Sequence, residues 1–387
     1  IPKPFDWRAL LKVAPAVAKA AMDSGVARKP IADFEAYRAR LERILGRDRE
    51  VMRHMFHKAS RCECRVAFPE STHPKILRAA QICVEERICV PVLVGDAEHI
   101  RQVAAEHDVD LTGCEVVDPA SDPRRKAFTE GLWARLARQG VTHAEAQRRL
   151  RNRLDFAAMM VTSGQVAGLV TGMTRSYPDS LRPLLQVVGP APGVRKVAGA
   201  HVVILRDSVK VFADTTVNIE PDAQALADIT LAAAQMAREL DLDPKVALLS
   251  FSNFGSSSHP QARKVRDALA RVHAADPSLV VDGEMQLGPA IDAEHRERIF
   301  PFSSLDGEAN VLVFPDLNAA NLGYKLLAYL GDAELVGPLL MGMDKPVNIV
   351  ERDASVRAVV HVTAMTVVQA QDLRARQTTE TLGEEAR

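Results

Sequence analysis

The chain changes hydrophobic period along its length. Leu10, Leu11, Val13, Ala14, Val17, Ala18 and Ala21 recur at helical spacing. They predict an amphipathic helix with Gly25 as its C-cap and Pro30 as a stop. A heavily charged helix is expected over residues 31–59, with Asp33 as N-cap and a stripe of Phe34, Tyr37, Leu41, Ile44 and Leu45. Such a helix is not stable alone and reads as a connector packed on something else. From Arg65 the pattern becomes alternation of strand and helix. Strands are expected at 66–68, 90–94, 114–117 and 166–170, with helices at 75–87, 98–107, 126–139 and 142–163. A second block begins near Val194, with strands at 199–205, 210–214, 245–250, 279–282 and 311–314 and helices at 222–240 and 261–272. A last apolar helix is expected over 356–376, followed by a frayed tail, TTETLGEEAR. This βα rhythm argues an α/β protein with parallel sheets covered by helices.

Composition sharpens that picture. With 387 residues, 47% hydrophobic and only 5% aromatic, the chain can build two or three aliphatic cores. A net charge of -1 provides no electrostatic capture of nucleic acid or of an anionic membrane. No apolar run reaches the ~18–20 residues that span a bilayer, and no signal peptide pattern is present. Ile1 in place of Met reads as the start of a fragment of a longer chain. Five cysteines, Cys62, Cys64, Cys83, Cys89 and Cys114, read as reduced thiols of a cytoplasmic protein. Cys62-Glu63-Cys64 has no second half to complete a metal site, and His54 and His57 sit one turn apart on a charged face without a third ligand. No metal is expected.

Candidate chemistry collects where strands end. The run Ser250-Phe251-Ser252-Asn253-Phe254-Gly255-Ser256 follows an apolar strand and precedes a helix. It fits either a phosphate cradle of free N–H groups and hydroxyls or a Ser-rich capping loop. No Walker A, GxGxxG, HExxH or nucleophile elbow is present. Arg182 precedes Pro183, which favours an extended backbone, and it could meet an anion or pair with Asp179. Asp282, Glu284 and Asp316 offer carboxylates after strands, and Lys345 and Arg352 offer cations.

Several longer motifs stand in one order: RVAFPESTHPKILRAAQ, TGMTRSYPDSLRP, KVALLSFSNFGSSSHP, VDGEMQLGPAI, VLVFPDLNAANLGYK and DKPVN. Over residues 60–375 the chain thereby resembles the phosphate acetyltransferase/butyryltransferase family. Residues 1–30, with IPKPFD and APAVAKAAMDSGVA, resemble the closing segment of bacterial malic enzyme catalytic regions. That order is similar to large NADP-dependent malic enzymes, which carry a phosphotransacetylase-like module after the catalytic one. The resemblance implies two three-layer αβα domains with a cleft between them, preceded by linker helices. Residues 1–59 would be the end of a malic enzyme module and linker, 60–193 with 339–387 the first domain, and 194–338 a second, dimerising domain. It implies CoA or acetyl-CoA in the cleft, contacted by Arg182, Ser250, Ser252, Asn253, Gly255, Ser256, Asp316, Asn318, Asn321, Lys345 and Arg352. NADP and a divalent metal would belong to the parent's catalytic module, which converts malate to pyruvate and CO2.

The chain departs from that family at its reaction centre. Active members read Pro-Ile-Asn-x-x-Ser-Arg after the Lys-Pro turn, with a catalytic Asp six residues past the Arg. Here Glu351 stands at the Ser and Ala358 at the Asp, while Arg352 keeps the Arg. A CoA-site Arg in the helix after the third strand aligns with Leu136, next to Arg135. Ala358 cannot accept the thiol proton, a role typically worth about 10²–10⁴-fold. Glu351 would oppose an acetyl phosphate dianion by roughly 4 kcal/mol at ~4 Å and an effective dielectric near 20. The expectation is a catalytically silent module that senses acetyl-CoA and inhibits an attached malic enzyme. The alternatives are a working phosphate acetyltransferase, with Asp353 as base, and a purely structural oligomerisation module.

Overall fold

In a computed structural model, the structure describes residues 7–27, 29, 31, 33–35, 37, 52–205, 208–331 and 333–385. The first helix, α1 (Trp7–Asp23), ends as its pattern requires. Gly25 takes a left-handed φ of 76°, and the Gly25 and Val26 amides return to the carbonyls of Met22 and Ala21. In the connector, Phe34 and Tyr37 meet edge to face, while Leu41, Ile44 and Leu45 lie outside the described residues. The connector's last part is a helix, α2, over residues 52–59.

Two sheets follow. The first is all parallel, in the order β11 (Val347–Ile349), β4 (Gly168–Thr171), β1 (Arg65–Phe68), β2 (Val90–Val94), β3 (Glu115–Val117). Its strands bury both faces by alternation. Val66 and Phe68 face α3 (Pro74–Glu85) and α14 (Val356–Glu385). Ala67, between them, belongs to the opposite core with α5 (Arg125–Leu136), α7 (Arg153–Thr162) and α8 (Tyr177–Val187). Two shorter helices, α4 (Ala97–Glu106) and α6 (His143–Arg149), complete this region.

The second sheet has the order β10 (Glu334–Met341), β5 (Ala198–Ile204), β6 (Val209–Ala213), β9 (Val311–Val313), β7 (Lys245–Leu249), β8 (Val280–Met285). Strands β10 and β5 pair antiparallel, as do β5 and β6, and the other pairs are parallel. Helices α9 (Ala223–Glu239) and α10 (Pro260–Ala275) cover one face. The other face carries α11 (Leu287–Ile291), α12 (Ala293–Ile299) and α13 (Leu317–Leu330).

Helix α14 is the element both units share. Val359, Val360, Val362, Ala364, Met365, Val367 and Val368 are buried around its whole circumference, as a helix enclosed by protein requires. It packs on α3 and β4 of the first unit and on β10 and α9 of the second, so one apolar cluster runs through both. The helix continues to Glu385, through the tail expected to fray.

Four further expectations change. Strand β10 pairs with β5 up to Met341, three residues past the boundary expected at 338. The single helix expected over 142–163 is α6 and α7, because the Asn152 side chain accepts the Leu154 amide and caps a new start. Arg182 is helical rather than extended, with Pro183 inside α8. Cys62 and Cys64 are joined in a disulfide, their Cα atoms 5.4 Å apart, while Cys83, Cys89 and Cys114 are thiols. The turn after α2 brings the first two sulfurs together, which composition alone does not reveal.

Candidate functional site

Chemistry-bearing residues concentrate at the carboxyl edges of the parallel strands, where open α/β sheets bind ligands. In the first sheet the connections from β1 and β4 leave side by side. Buried Glu70, just after β1, accepts the amides of Gly172, Met173 and Thr174 at 2.7–2.8 Å. A carboxylate that gathers three N–H groups fixes the loop after β4 in one shape. That loop also passes very close to β11. A Cβ on Gly172 (φ 124°) would lie 2.1 Å from the Val350 carbonyl oxygen, so only glycine fits. Glu351, Arg352 and Asp353 follow β11 at the same edge and are exposed. The Lys75 ammonium reaches the Ala354 carbonyl at 2.9 Å and ties this turn to α3.

The second sheet answers with three built loops. Asp214, after β6, accepts the amides of Gly199, Thr216, Val217 and Asn218. Asp316, after β9, caps α13 by accepting the Ala319 amide at 3.0 Å. The neighbouring Lys264 ammonium donates to the Pro315 carbonyl. Burial holds its pKa below the ordinary lysine value, against the opposing pull of Asp316, Glu220 and Asp222. The Ser-rich loop after β7 folds onto Glu284, a fully buried carboxylate. One Glu284 oxygen accepts from Ser252 Oγ at 2.8 Å, the Gly255 amide at 3.0 Å and the Arg266 guanidinium at 2.7 Å. Ser256 Oγ accepts the Asn253 amide and meets Ser252 Oγ at 3.0 Å. The hydroxyls of Ser252 and Ser256 therefore serve the loop's own shape.

Side-chain contacts cross between the units at these edges. The Tyr177 and Thr216 hydroxyls meet at 3.0 Å. Burial pushes the Tyr177 phenol well above its ordinary pKa, so it is neutral here. The Tyr324 hydroxyl donates to Glu351 Oε1 at 3.3 Å and accepts from Asn321 Nδ2 at 3.4 Å. Burial and then the Glu351 charge raise the Tyr324 pKa, which keeps the phenol a donor. Its ring stacks on His201 at 4.1 Å. Burial lowers the His201 pKa to about 3, with Lys325 adding to the effect, so the imidazole is neutral and bonds Thr215 Oγ1.

The expected site residues thus fall into separate groups. Asn321 and Glu351 meet through Tyr324, and Ser252, Gly255 and Ser256 converge on Glu284. Ser250 Oγ accepts the Ser252 amide, and Asn253 Oδ1 accepts the Gln286 amide. Arg182 and Arg352 are exposed cations without an ion pair among the described residues, and Asn318 is exposed. Lys345 stands apart. It precedes β11, at the opposite edge of the sheet from Arg352, and lies 3.8 Å from Asp344. Ala358 occupies the first turn of α14, where its amide bonds Ser355 Oγ. Leu136 is buried in the core, whereas Arg135 faces solvent. His54 bonds Asp241 rather than standing free. Among the described residues no group of three or more His, Cys, Asp or Glu is arranged to hold a metal, and no helix is long and apolar enough to cross a membrane. Tyr324, Arg266 and Glu70 were not expected from sequence. Their signal is tertiary, since each acts on a residue 18 or more positions away.

Comparison with known proteins agrees with this architecture. The chain is 39% identical over 376 residues to the NADP-dependent malic enzyme of Escherichia coli, covering 96% of this chain and 50% of that protein. The match lies in the C-terminal half, so the chain spans about half the length of such relatives. It is 38% identical over 314 residues to the phosphate acetyltransferase of Clostridium acetobutylicum, covering 79% of this chain and 94% of that protein. A solved phosphotransacetylase from Streptococcus pyogenes superposes with a TM-score of 0.80 at 32% identity, over 84% of this chain and 99% of that one. Residues 50–367 match the phosphate acetyl/butaryl transferase family, and the chain belongs to it.

Proposed function

We propose that this chain is the regulatory, acetyl-CoA-sensing half of an NADP-dependent malic enzyme and does not itself transfer acetyl groups. The observation that carries the reading is the state of the reaction centre. Glu351 stands where the resemblance expects serine, and its carboxylate is bonded by Tyr324 from the facing unit. An acyl phosphate would bring a second anion beside that carboxylate, and the two like charges repel, less strongly where solvent screens them. Ala358, where the catalytic aspartate is expected, offers no proton acceptor. Acetyl-CoA is a thioester and places no phosphate at the reacting carbon, so this centre can hold it without acting on it. Its phosphates would be met by the exposed cation Arg182, with Asn318, Asn253 and Gly255 as further contacts and Arg352 beside the acetyl group. NADP and a divalent metal would serve the catalytic module that precedes this one in the relatives.

The proposed assembly is at least a dimer through the second unit. Leu322, Leu326, Tyr329 and Leu330 form an apolar stripe on α13, with Tyr329 and Leu330 83% and 81% exposed. A stripe of that size on one helix face is covered in most soluble proteins. Ligand binding that favours one arrangement of such an oligomer would shift its population and with it the attached activity.

Calorimetry with acetyl-CoA tests the reading, beside a thioester assay with CoA and acetyl phosphate. Binding without turnover is the expected result. Turnover comparable to a working phosphotransacetylase would overturn the silent reading and favour a centre in which exposed Asp353 acts as base. No heat and no thermal shift at millimolar ligand would leave a purely structural module.

A further inference from the structure

All five cysteines of the chain gather at the amino edge of the first sheet. Cys64, Cys89 and Cys114 stand immediately before β1, β2 and β3, and Cys83 lies in the last turn of α3, which returns to that edge. Cys64 and Cys89 share one apolar cluster with Val66, Phe68 and Leu93, so strand alternation puts both sulfurs on the face covered by α3 and α14. The register of Arg65 with Val90 sets Cys64 opposite Cys89, and the Val90 amide donates to the Cys64 carbonyl at 2.9 Å. Three of these cysteines are held inert. Burial, and then contact with Cys83, raises the Cys89 pKa well above its ordinary value. Burial pushes Cys114 up to about 11, with Cys83 and Asp110 adding to the rise. Cys83 is fully buried.

The joined pair, Cys62 and Cys64, is different. Cys62 is partly exposed, while Cys64 is buried. The turn that carries them holds its shape through its backbone. The Cys62 amide returns to the Ala59 carbonyl at 3.4 Å, and the Cys64 amide to the Cys62 carbonyl at 2.9 Å. The bond between the sulfurs encloses only Glu63. A cross-link constrains the unfolded chain more the longer the loop it closes, so this one adds little as a staple. Helix α14 grips both sides of the turn. Gln371 donates to the Lys58 and Ala59 carbonyls, and Arg374, three residues on, aims its guanidinium at Cys64 Sγ, 3.8 Å away.

We propose that Cys62–Cys64 is a reversible redox couple, reduced by an external dithiol that attacks Cys62 and expels Cys64 toward Arg374. A thiolate of the reductant bonds Cys62 Sγ as the Cys62–Cys64 bond breaks, and the electron pair leaves on Cys64 Sγ, which takes up a proton. The reductant's second thiolate then attacks its own sulfur in the mixed disulfide, and Cys62 leaves and is protonated. The chain gains two electrons and two protons, and the dithiol becomes a disulfide. Cys62 is the sulfur within reach, because Cys64 is buried. The Arg374 guanidinium stands where negative charge grows on the departing sulfur, and a stabilised leaving thiolate departs faster. The backbone bonds of the turn keep the two thiols together for reoxidation. The couple thus sits in the joint between α2 and the helix that both units share, and it stands apart from acetyl-CoA sensing.

Thiol mapping on the folded 387-residue chain tests it. The chain is oxidised with glutathione disulfide, treated with dithiothreitol without denaturant, quenched in acid, then unfolded, alkylated and mapped by mass spectrometry. Cys62 and Cys64 are expected to be alkylated only after dithiothreitol, and Cys83, Cys89 and Cys114 with or without it. Glutathione disulfide should then restore the Cys62–Cys64 bond. Arg374→Met is expected to slow the reduction about threefold or more, and Arg374→Lys to keep most of the rate. In Cys64→Ser, glutathione disulfide should cap Cys62, whereas in Cys62→Ser it should leave buried Cys64 free. A bond that opens only in urea, thiols at 62 and 64 that stay reduced under glutathione disulfide, a disulfide that includes Cys89, or equal rates in Arg374→Met would each overturn the proposal.

Discussion

The Tyr324 hydroxyl donates to the Glu351 carboxylate at 3.3 Å and so bonds α13 of the second unit to the β11–α14 turn of the first. The residue that stands where the resemblance expects serine is therefore part of the contact between the units. Glu351 is exposed, so the bond is worth little by itself. Tyr324→Phe is expected to cost ~1 kcal/mol or less in urea unfolding, because the ring and its stack on His201 remain. A double-mutant cycle with Glu351→Gln should give a coupling of a few tenths to ~1 kcal/mol. A coupling of zero would mean that the two side chains do not meet in solution.

Restoring the residues that the resemblance expects tests the proposed silence of the centre. Glu351→Ser removes the opposing charge, and Ala358→Asp restores a carboxylate in the first turn of α14. Each change alone should give little, since proton removal and anion acceptance are both needed. The double variant is expected to form thioester from CoA and acetyl phosphate, at least tenfold above the wild-type chain. If it forms none while still binding acetyl-CoA, the centre lacks more than these two groups.

Much of the architecture was legible because strand runs such as 90–94 and 311–314 are short, apolar and bounded by turn residues. Strand β10 was not, because Gly337 and Pro338 interrupt its pattern where its register against β5 shifts. Arg182 misled in the opposite direction. A residue before proline disfavours the helical region, but Ser176 caps α8 through the Asp179 amide and the helix carries past Pro183. The Ser-rich loop was legible as a loop and only half legible as chemistry. Spacing cannot reveal that Ser252 turns inward to Glu284, because that choice depends on Arg266 arriving from α10. Lys345 and Arg352 both offer cations in the sequence, yet β11 runs between them and sets them at opposite sheet edges.

The Glu284 cluster predicts a large cost for a small change. Arg266→Met would leave a fully buried carboxylate with only Ser252 and the Gly255 amide on one oxygen and no partner on the other. Removing one member of a buried ion pair typically costs ~3–5 kcal/mol. Arg266 is partly exposed, which places the expected loss in urea unfolding near 3 kcal/mol. Arg266→Met with Glu284→Gln should recover much of that loss, because no unpaired charge remains. A single variant within ~0.5 kcal/mol of wild type would show that solvent already reaches the carboxylate.

His201 sets the direction of acid sensitivity. Its pKa is lowered to about 3 by burial, with Lys325 adding to the effect, whereas an unfolded histidine titrates near 6.5. Between those values the unfolded chain binds a proton that the native chain does not. The contribution is therefore fully present above pH ~6.5 and is lost as pH falls toward 3. One such group gives a slope of up to ~1.4 kcal/mol per pH unit in that window. His201→Phe keeps a ring against Tyr324, and the freed Thr215 hydroxyl still donates to the Gly199 carbonyl at 3.2 Å. Urea midpoints measured between pH 4 and pH 6 should fall more gently with acid in His201→Phe than in the wild-type chain. Equal slopes would mean that the imidazole takes up its proton in the folded state, and that its stack on Tyr324 is open to water.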